Sequence, residues 1–525
     1  MDAPRKTPPL CRLSAAQIVA GVAAGEFSVT EVIDQYAARI EAVNPQINAL
    51  VYPLLDAARE TAQAYDAAGR PSEPGLLHGA PFTVKECFYV QGAPATIGLT
   101  NQLTLSPQDG PHVQRMRAAG AIPLGVTNVP QLMILHETDN PVYGRTNNPW
   151  NLEHGVGGSS GGEAAIIAAG ASPLGLGSDL GGSIRLPAHF CGVHGIKPTN
   201  RRLARTGAFD NLRGMQGLEY QTGPLASHVE DLELALRVLA SAEHGWRHGD
   251  VGPIPMTPSR DVDLSQLRIG YWEYDGYFQA APAIRRVVRE SIAALKESGA
   301  QLIELRPPNI SKALQHYFAI ISADGGADFR NLLTGSKKDA EVARIVRLAQ
   351  TPRWIRPLMA ALLRMRGERK LADLFVAAGP RSATSLWQAT AGAIDFVDEV
   401  QHTWDDERID AVITPPHALP AFLHGMAVEL IPSASYSLLF NLLGVPCGTV
   451  ACSRVGEDEL SDRTVLSDPV ERSAQQVELA SAGMPVGLQV AGRPWREDQV
   501  LAIMGKIESY FRQRDDYPDV TRLPI

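Results

Sequence analysis

Between Gly155 and Gly195, twelve of 41 residues are glycine, against 47 in the 525 of the whole chain. Glycine at that density lets backbone approach backbone, or backbone approach a ligand, where a Cβ would clash. The segment reads Gly-Val-Gly-Gly-Ser159-Ser160-Gly-Gly-Glu-Ala-Ala-Ile-Ile-Ala-Ala-Gly, then Ala-Ser-Pro-Leu-Gly-Leu-Gly-Ser-Asp179-Leu180-Gly181-Gly182-Ser183-Ile-Arg185. It predicts a Gly-rich loop, a short apolar helix from Glu163 to Ala169, a short strand and a second Gly-Gly-Ser loop.

Standard readings of such a segment fail on particular residues. A phosphate-binding loop needs Gly-Lys-Ser/Thr after its glycines, and Glu163 stands where positive charge is wanted. Gly175-Leu-Gly177 begins like a dinucleotide fingerprint, but Leu180 holds the third glycine position. Gly157-Gly-Ser159-Ser-Gly161 matches the nucleophile-elbow pattern, which must follow a buried strand; Asn147-Asn-Pro-Trp-Asn-Leu-Glu-His is turn chemistry instead.

Outside this segment, Ser28-Val-Thr-Glu31 is a capping box, followed by Ile33, Tyr36, Ile40 and Val43 at helical spacing. A second unit begins near Leu267. Leu267 to Trp272 reads as a strand, and Ile284, Val287, Val288, Ile292 and Leu295 form one helix face closed by Gly299. Leu302 to Leu305 resumes strand character, a β-α-β pattern that implies parallel pairing. Short strands recur at Ala411–Thr414 and Val486–Val490, and a helix is expected from Asp498 to Phe511. Pro253, Pro255 and Pro258 mark a loop or linker at 246–262, the best internal boundary, and no repeat is evident. The expected fold class is α/β, a mixed or parallel sheet between helices.

Composition narrows the class. A net charge of -9 supplies no excess of cations for a nucleic-acid backbone, so no nucleic-acid partner is expected. Five scattered cysteines, Cys11, Cys87, Cys191, Cys447 and Cys452, show no zinc-type spacing and suit a reducing compartment. No stretch reaches the roughly 18 apolar residues of a spanning helix. The first residues lack a signal-peptide core. A cytoplasmic location is expected, with any membrane attachment peripheral.

From Gly157 to Thr199, including Asp179 to Arg185 and Phe190-Cys-Gly-Val-His-Gly-Ile-Lys-Pro-Thr199, the chain resembles the amidase-signature family, most closely its fatty acid amide hydrolase branch. Gly79-Ala-Pro-Phe-Thr-Val-Lys85-Glu is similar to that family's lysine segment. Thr127 to Met133 and Asn140 to Trp150 resemble the segments leading to the serine loop. Ser435 to Asn441 and Met484 to Val490 resemble the carboxy-terminal half. The resemblance covers nearly the whole chain. It implies one amidase-signature domain over 1–525, with a mixed twisted sheet sandwiched between many helices and the catalytic core at 70–230.

The resemblance also implies a Ser–Ser–Lys triad: Ser183 as nucleophile, Ser159 as the bridge and Lys85 as the base. A serine hydroxyl needs a neighbour to take its proton, and lysine can do so only as a neutral amine, which burial favours. The apolar setting of Lys85 suits this, while Glu86 opposes it if close. The family pattern further implies a cis peptide entering Ser159. It implies an oxyanion hole from the N–H groups of Leu180, Gly181, Gly182 and Ser183, and a substrate-bordering backbone at Met133. Asp179 and Arg185 brace the loop, and Ser160 is a structural hydroxyl. No metal and no cofactor is required. Histidines His136, His154, His189 and His194 leave a Ser-His-Asp arrangement open but read as loop or packing residues, and Cys191 as a buried packing residue.

Residues 351–375 stand apart. Arg353, Arg356, Arg364, Arg366, Arg369 and Lys370 face only Glu368 and Asp373, and Trp354, Leu358, Leu362 and Met365 recur at helical spacing beside Ile355, Met359 and Leu363. A basic amphipathic helix with an aromatic is an interfacial membrane signature, and the segment lies where fatty acid amide hydrolases carry a membrane cap. A core-covering helix or half of a homodimer contact fits equally. The expected activity is hydrolysis of hydrophobic, fatty-acyl or aryl, amides. The alternatives are an esterase, carbamate or aryl-acylamide hydrolase with the same triad, or a glutamine-dependent amidotransferase subunit.

Overall fold

The computed structural model describes residues 9–241, 251–252, 254–464, 466–520 and 523. Its strands are β1 Leu50–Pro53, β2 Pro81–Lys85, β3 Ile122–Thr127, β4 Leu174–Asp179, β5 His194–Lys197, β6 Gln221–Ala226, β7 Arg268–Tyr271, β8 Gln301–Glu304, β9 Ala411–Thr414, β10 Cys447–Arg454 and β11 Pro485–Gly492. They form one sheet in the order β1-β3-β2-β4-β6-β5-β10-β11-β9-β7-β8. Pairing is parallel at β3-β2-β4 and at β8-β7-β9, and antiparallel at the remaining joins. The sheet is therefore mixed, as expected.

Strands β2, β3, β4, β6, β9 and β11 are buried at every residue, which requires cover on both faces. Helices supply it. Arg185–Cys191 and Glu497–Phe511 both pack on β10 and β11. The capping box forms at Ser28 and Glu31, and the helix Val29–Ile47 buries Ile33, Tyr36, Ile40 and Val43.

The unit beginning near Leu267 does not separate from the first. β7 and β8 flank the helix Pro282–Glu297, as the β-α-β pattern predicts, but β9 joins them to β11 and hence to the common sheet. Of the expected linker, residues 246–250 and Pro253 lie outside the described residues. Pro255 and Pro258 run as coil into the short turn Ser259–Asp261.

The single amphipathic helix expected at 351–375 is corrected to two, Arg356–Met365 and Arg369–Ala377. Gly367 breaks them with φ +85°, a left-handed conformation that ends a helix. Arg356 is also not part of a basic face: it is buried, donating to the carbonyls of Thr351, Phe375, Leu348 and Ala349. The apolar face is open to solvent, with Trp354 80%, Leu358 73% and Met365 85% exposed. Trp387, on the helix Ala383–Asp406, is exposed as well. Among the described residues no helix is long and apolar enough to cross a membrane.

Candidate active site

β2 and β4 are parallel neighbours, so Lys85 and Asp179 at their carboxyl ends lie at one edge of the sheet. Lys85 is fully buried. Its Nζ is 2.7 Å from Ser159 Oγ, 3.0 Å from Ser178 Oγ and 3.3 Å from the Ser178 carbonyl. Ser159 follows a cis Gly158–Ser159 peptide and leads into the helix Gly161–Ala168. The Ser160 N–H donates to the Ser183 carbonyl at 3.1 Å, tying the first serine loop to the second. The Ser160 hydroxyl itself lies against the Ser178 backbone, 3.3 Å from its oxygen and 3.4 Å from its nitrogen.

Burial lowers the Lys85 pKa to about 8, against the opposing pull of Cys87, Asp179 and Glu163. Glu86 is not part of that pull. Its carboxylate accepts the Thr96 and Ile97 N–H groups, because consecutive strand-end residues face opposite ways. Glu163 takes its place, accepting from Thr83 Oγ1 at 2.6 Å and Thr127 Oγ1 at 2.7 Å, and burial raises its pKa to about 8. A carboxyl pushed toward its neutral acid does little to hold the lysine charged. The neutral amine can then accept a proton from Ser159.

The second loop is built around Asp179. Its carboxylate accepts the Gly182 N–H at 2.8 Å and the Ile184 N–H at 3.1 Å, and Arg185 grips it with Nε and Nη2, each at 3.0 Å. Arg185 is also fully buried, donating to Ser437 O, Gln489 Oε1 and Asn441 Oδ1. Burial alone would raise the Asp179 pKa; the Arg185 charge and hydrogen bonds reverse this and hold it well below the usual carboxylate range.

The four expected oxyanion donors differ in their present partners. The Gly182 N–H points back to Asp179, three residues earlier in the turn, and donates to its carboxylate at 2.8 Å. Among the described residues the N–H groups of Leu180, Gly181 and Ser183 donate to no protein acceptor. Met133, half-buried, closes the turn Gln131–Met133, where it and Leu132 both have φ +58°. Three residues on, His136 reaches the second loop, with Nε2 3.1 Å from the Gly181 carbonyl.

The other histidines lie in the packing. His189 bridges Leu419 O and the Gly487 N–H, His194 accepts the Ala451 N–H beside Tyr517 and Glu508, and His154 is buried. None of the four hydrogen-bonds the side chain of Ser159 or Ser183 among the described residues. Cys191 is buried, and burial raises its thiol pKa out of the reactive range.

Three contributors are not apparent from the sequence. Ser178 sits one residue before Asp179, a position that could have suggested it. Glu163 reads in the sequence only as a charge unfit for phosphate. Tyr317, whose hydroxyl is 3.2 Å from Leu180 O, is 137 positions away and carries no local signal.

Comparison with known proteins shows the family. The amidase family model matches residues 31–501. Fatty-acid amide hydrolase 1 of Sus scrofa is 35% identical over 505 residues, covering 95% of this chain and 86% of that protein. A glutamyl-tRNA(Gln) amidotransferase subunit of Roseiflexus castenholzii is 30% identical over 533 residues, 98% of each chain. The solved structure of a fatty acid amide hydrolase superposes with a TM-score of 0.80 at 25% identity, covering 96% of this chain and 85% of that one. A match of this extent to both sequence and fold leaves one conclusion: the chain belongs to the amidase family and is an amide-cleaving hydrolase.

Proposed function

We propose that this enzyme, as one domain over 1–525, hydrolyses hydrophobic carboxylic amides through an acyl-enzyme on Ser183. The observation that carries the reading is the fully buried Lys85 amine 2.7 Å from Ser159 Oγ, on a loop bonded to Ser183. Ser183 Oγ attacks the amide carbonyl while its proton passes to Ser159, whose own proton passes to Lys85. The N–H groups of Leu180, Gly181 and Ser183 receive the oxyanion. Collapse expels the amine, which takes the proton back along the same path, and water then releases the acid. Asp179 and Arg185 hold the loop, and Met133 borders the substrate.

Replacing Ser183 by Ala is expected to abolish covalent labelling by a fluorophosphonate, read by intact mass. Labelling that survives in this variant and vanishes in Ser160→Ala would overturn the assignment.

The open apolar face formed by Trp354, Leu358, Leu362 and Met365 supports a hydrophobic substrate and a peripheral membrane contact on a cytoplasmic protein. A second copy of the chain could cover the same face. Esters and carbamates present carbonyls that suit the same triad. The similarity to one component of an amidotransferase favours a second reading, which requires glutamine turnover. A panel of amides, esters and carbamates alongside glutamine separates these.

A further inference from the structure

We propose that Tyr317 is a positioning residue of the oxyanion hole, its hydroxyl setting the direction of the Gly181 N–H through the Leu180 carbonyl. The proposal rests on the reading of Ser183 as nucleophile.

Tyr317 comes from the helix Ile310–Ile321, far from the Gly/Ser segment, and is buried against the second serine loop. Its hydroxyl donates to Leu180 O at 3.2 Å. The 180–181 peptide is trans, so its carbonyl and its N–H point in opposite directions within one rigid plane. Holding the Leu180 oxygen therefore aims the Gly181 N–H directly away from the phenol. Burial raises the phenol pKa, so the group remains a donor at any working pH.

The neighbouring peptide is already held at both ends. His136 Nε2 donates to the Gly181 carbonyl at 3.1 Å, and the Gly182 N–H donates to Asp179 Oδ1 at 2.8 Å. Among the described residues the 180–181 plane has no other hydrogen-bonded anchor, since its Gly181 N–H finds no protein acceptor. It also adjoins a glycine, whose backbone turns freely. A Cβ on Gly181 would fall 2.7 Å from the Tyr317 hydroxyl oxygen and 3.2 Å from Leu438 Cδ2. The residue that lets the phenol approach is thus also the one that most needs a pin. Preorganised donors act because they are already aimed where charge develops, so an N–H free to swing loses much of its effect.

The test is Tyr317→Phe in the full chain, which keeps the ring and removes the hydroxyl. We expect kcat to fall by about 10-fold, in line with one lost hydrogen bond, and by less than the roughly 100- to 1,000-fold of deleting a donor outright. KM and the melting temperature should stay close to the parent. The Ki of a trifluoromethyl ketone, whose adduct carries the oxyanion, should rise by the same factor as kcat/KM falls. Fluorophosphonate should still label one serine per chain. Unchanged kcat, or a fall in kcat with Ki unmoved, overturns the proposal, as does a loss that tracks lower melting temperature. Labelling that persists in Ser183→Ala would instead overturn the nucleophile, an outcome the Tyr317 variant does not affect.

Discussion

Arg185 and Asp179 face each other with no exposure to solvent, joined by two hydrogen bonds of 3.0 Å, and the same carboxylate fixes the Gly182 N–H at 2.8 Å. One ion pair thus sets the shape of the loop that carries Ser183. Removing one partner of such a pair leaves an uncompensated buried charge, which costs about 3–5 kcal/mol. Arg185→Ala is expected to lose about that much stability in urea denaturation and nearly all activity. Because burial alone raises the Asp179 pKa once Arg185 is gone, the deficit should be largest at high pH and shrink as pH falls and the carboxylate takes up a proton. A deficit under about 1 kcal/mol would contradict the bracing role.

The pH dependence of the reaction should report Lys85. Its pKa, lowered from 10.5 to about 8, makes kcat/KM rise through pH 8 and level off above it. Lys85→Ala should lower the rate by orders of magnitude and leave a rate that climbs with hydroxide. An unchanged profile would remove Lys85 from the mechanism. Stability carries the same signature. Between pH 8 and 10.5 the unfolded chain holds the Lys85 proton more tightly than the folded one, so this group contributes stability that grows as pH rises through that window, by roughly 3 kcal/mol. Lys85→Met should remove this contribution, as read from denaturation at pH 7.5 and 10.5, and leave the parallel one from buried Lys197, whose pKa is also lowered to about 8.

The two adjacent serines should behave differently. Ser159→Ala removes the hydroxyl beside Lys85 that the proposed relay from Ser183 uses, and is expected to cost several orders of magnitude in kcat. Ser160→Ala removes a hydroxyl whose hydrogen bonds among the described residues are with the Ser178 backbone alone, worth about 1 kcal/mol of stability. Comparable losses of kcat in the two variants would refute this division of roles.

Polar substitution of Trp354, Leu358 and Leu362 together tests the open apolar face. Exposed positions of this kind change stability by about 0.5 kcal/mol or less each. Co-sedimentation with anionic liposomes should weaken, KM for long-chain amides should rise, and a short water-soluble amide should be spared. A parent protein that does not co-sediment rules out the membrane contact. A shift in sedimentation coefficient on substitution, with both substrates affected alike, identifies the face as a homodimer contact.

What the chain states locally was legible without coordinates. The Gly157–Gly161 and Gly181–Ser183 loops, the short helix and strand between them, the Ser28–Glu31 cap and the β-α-β unit after Leu267 all follow from turn chemistry and periodicity within a few residues. The Gly/Ser pattern identified the family for the same reason, since close backbone approach leaves little choice of residue. Tertiary structure decided the rest. The neutral tendency of Lys85, the turning away of Glu86 and the entry of Glu163 and Ser178 depend on burial, a property of everything packed around β2 and β4. The commitment of the Gly182 N–H to Asp179, the Tyr317 contact with Leu180 and the joining of both halves in one sheet depend on groups brought together by folding. Desolvation and directional hydrogen bonds act over a few ångströms of space, not along the chain, and no sequence window contains them.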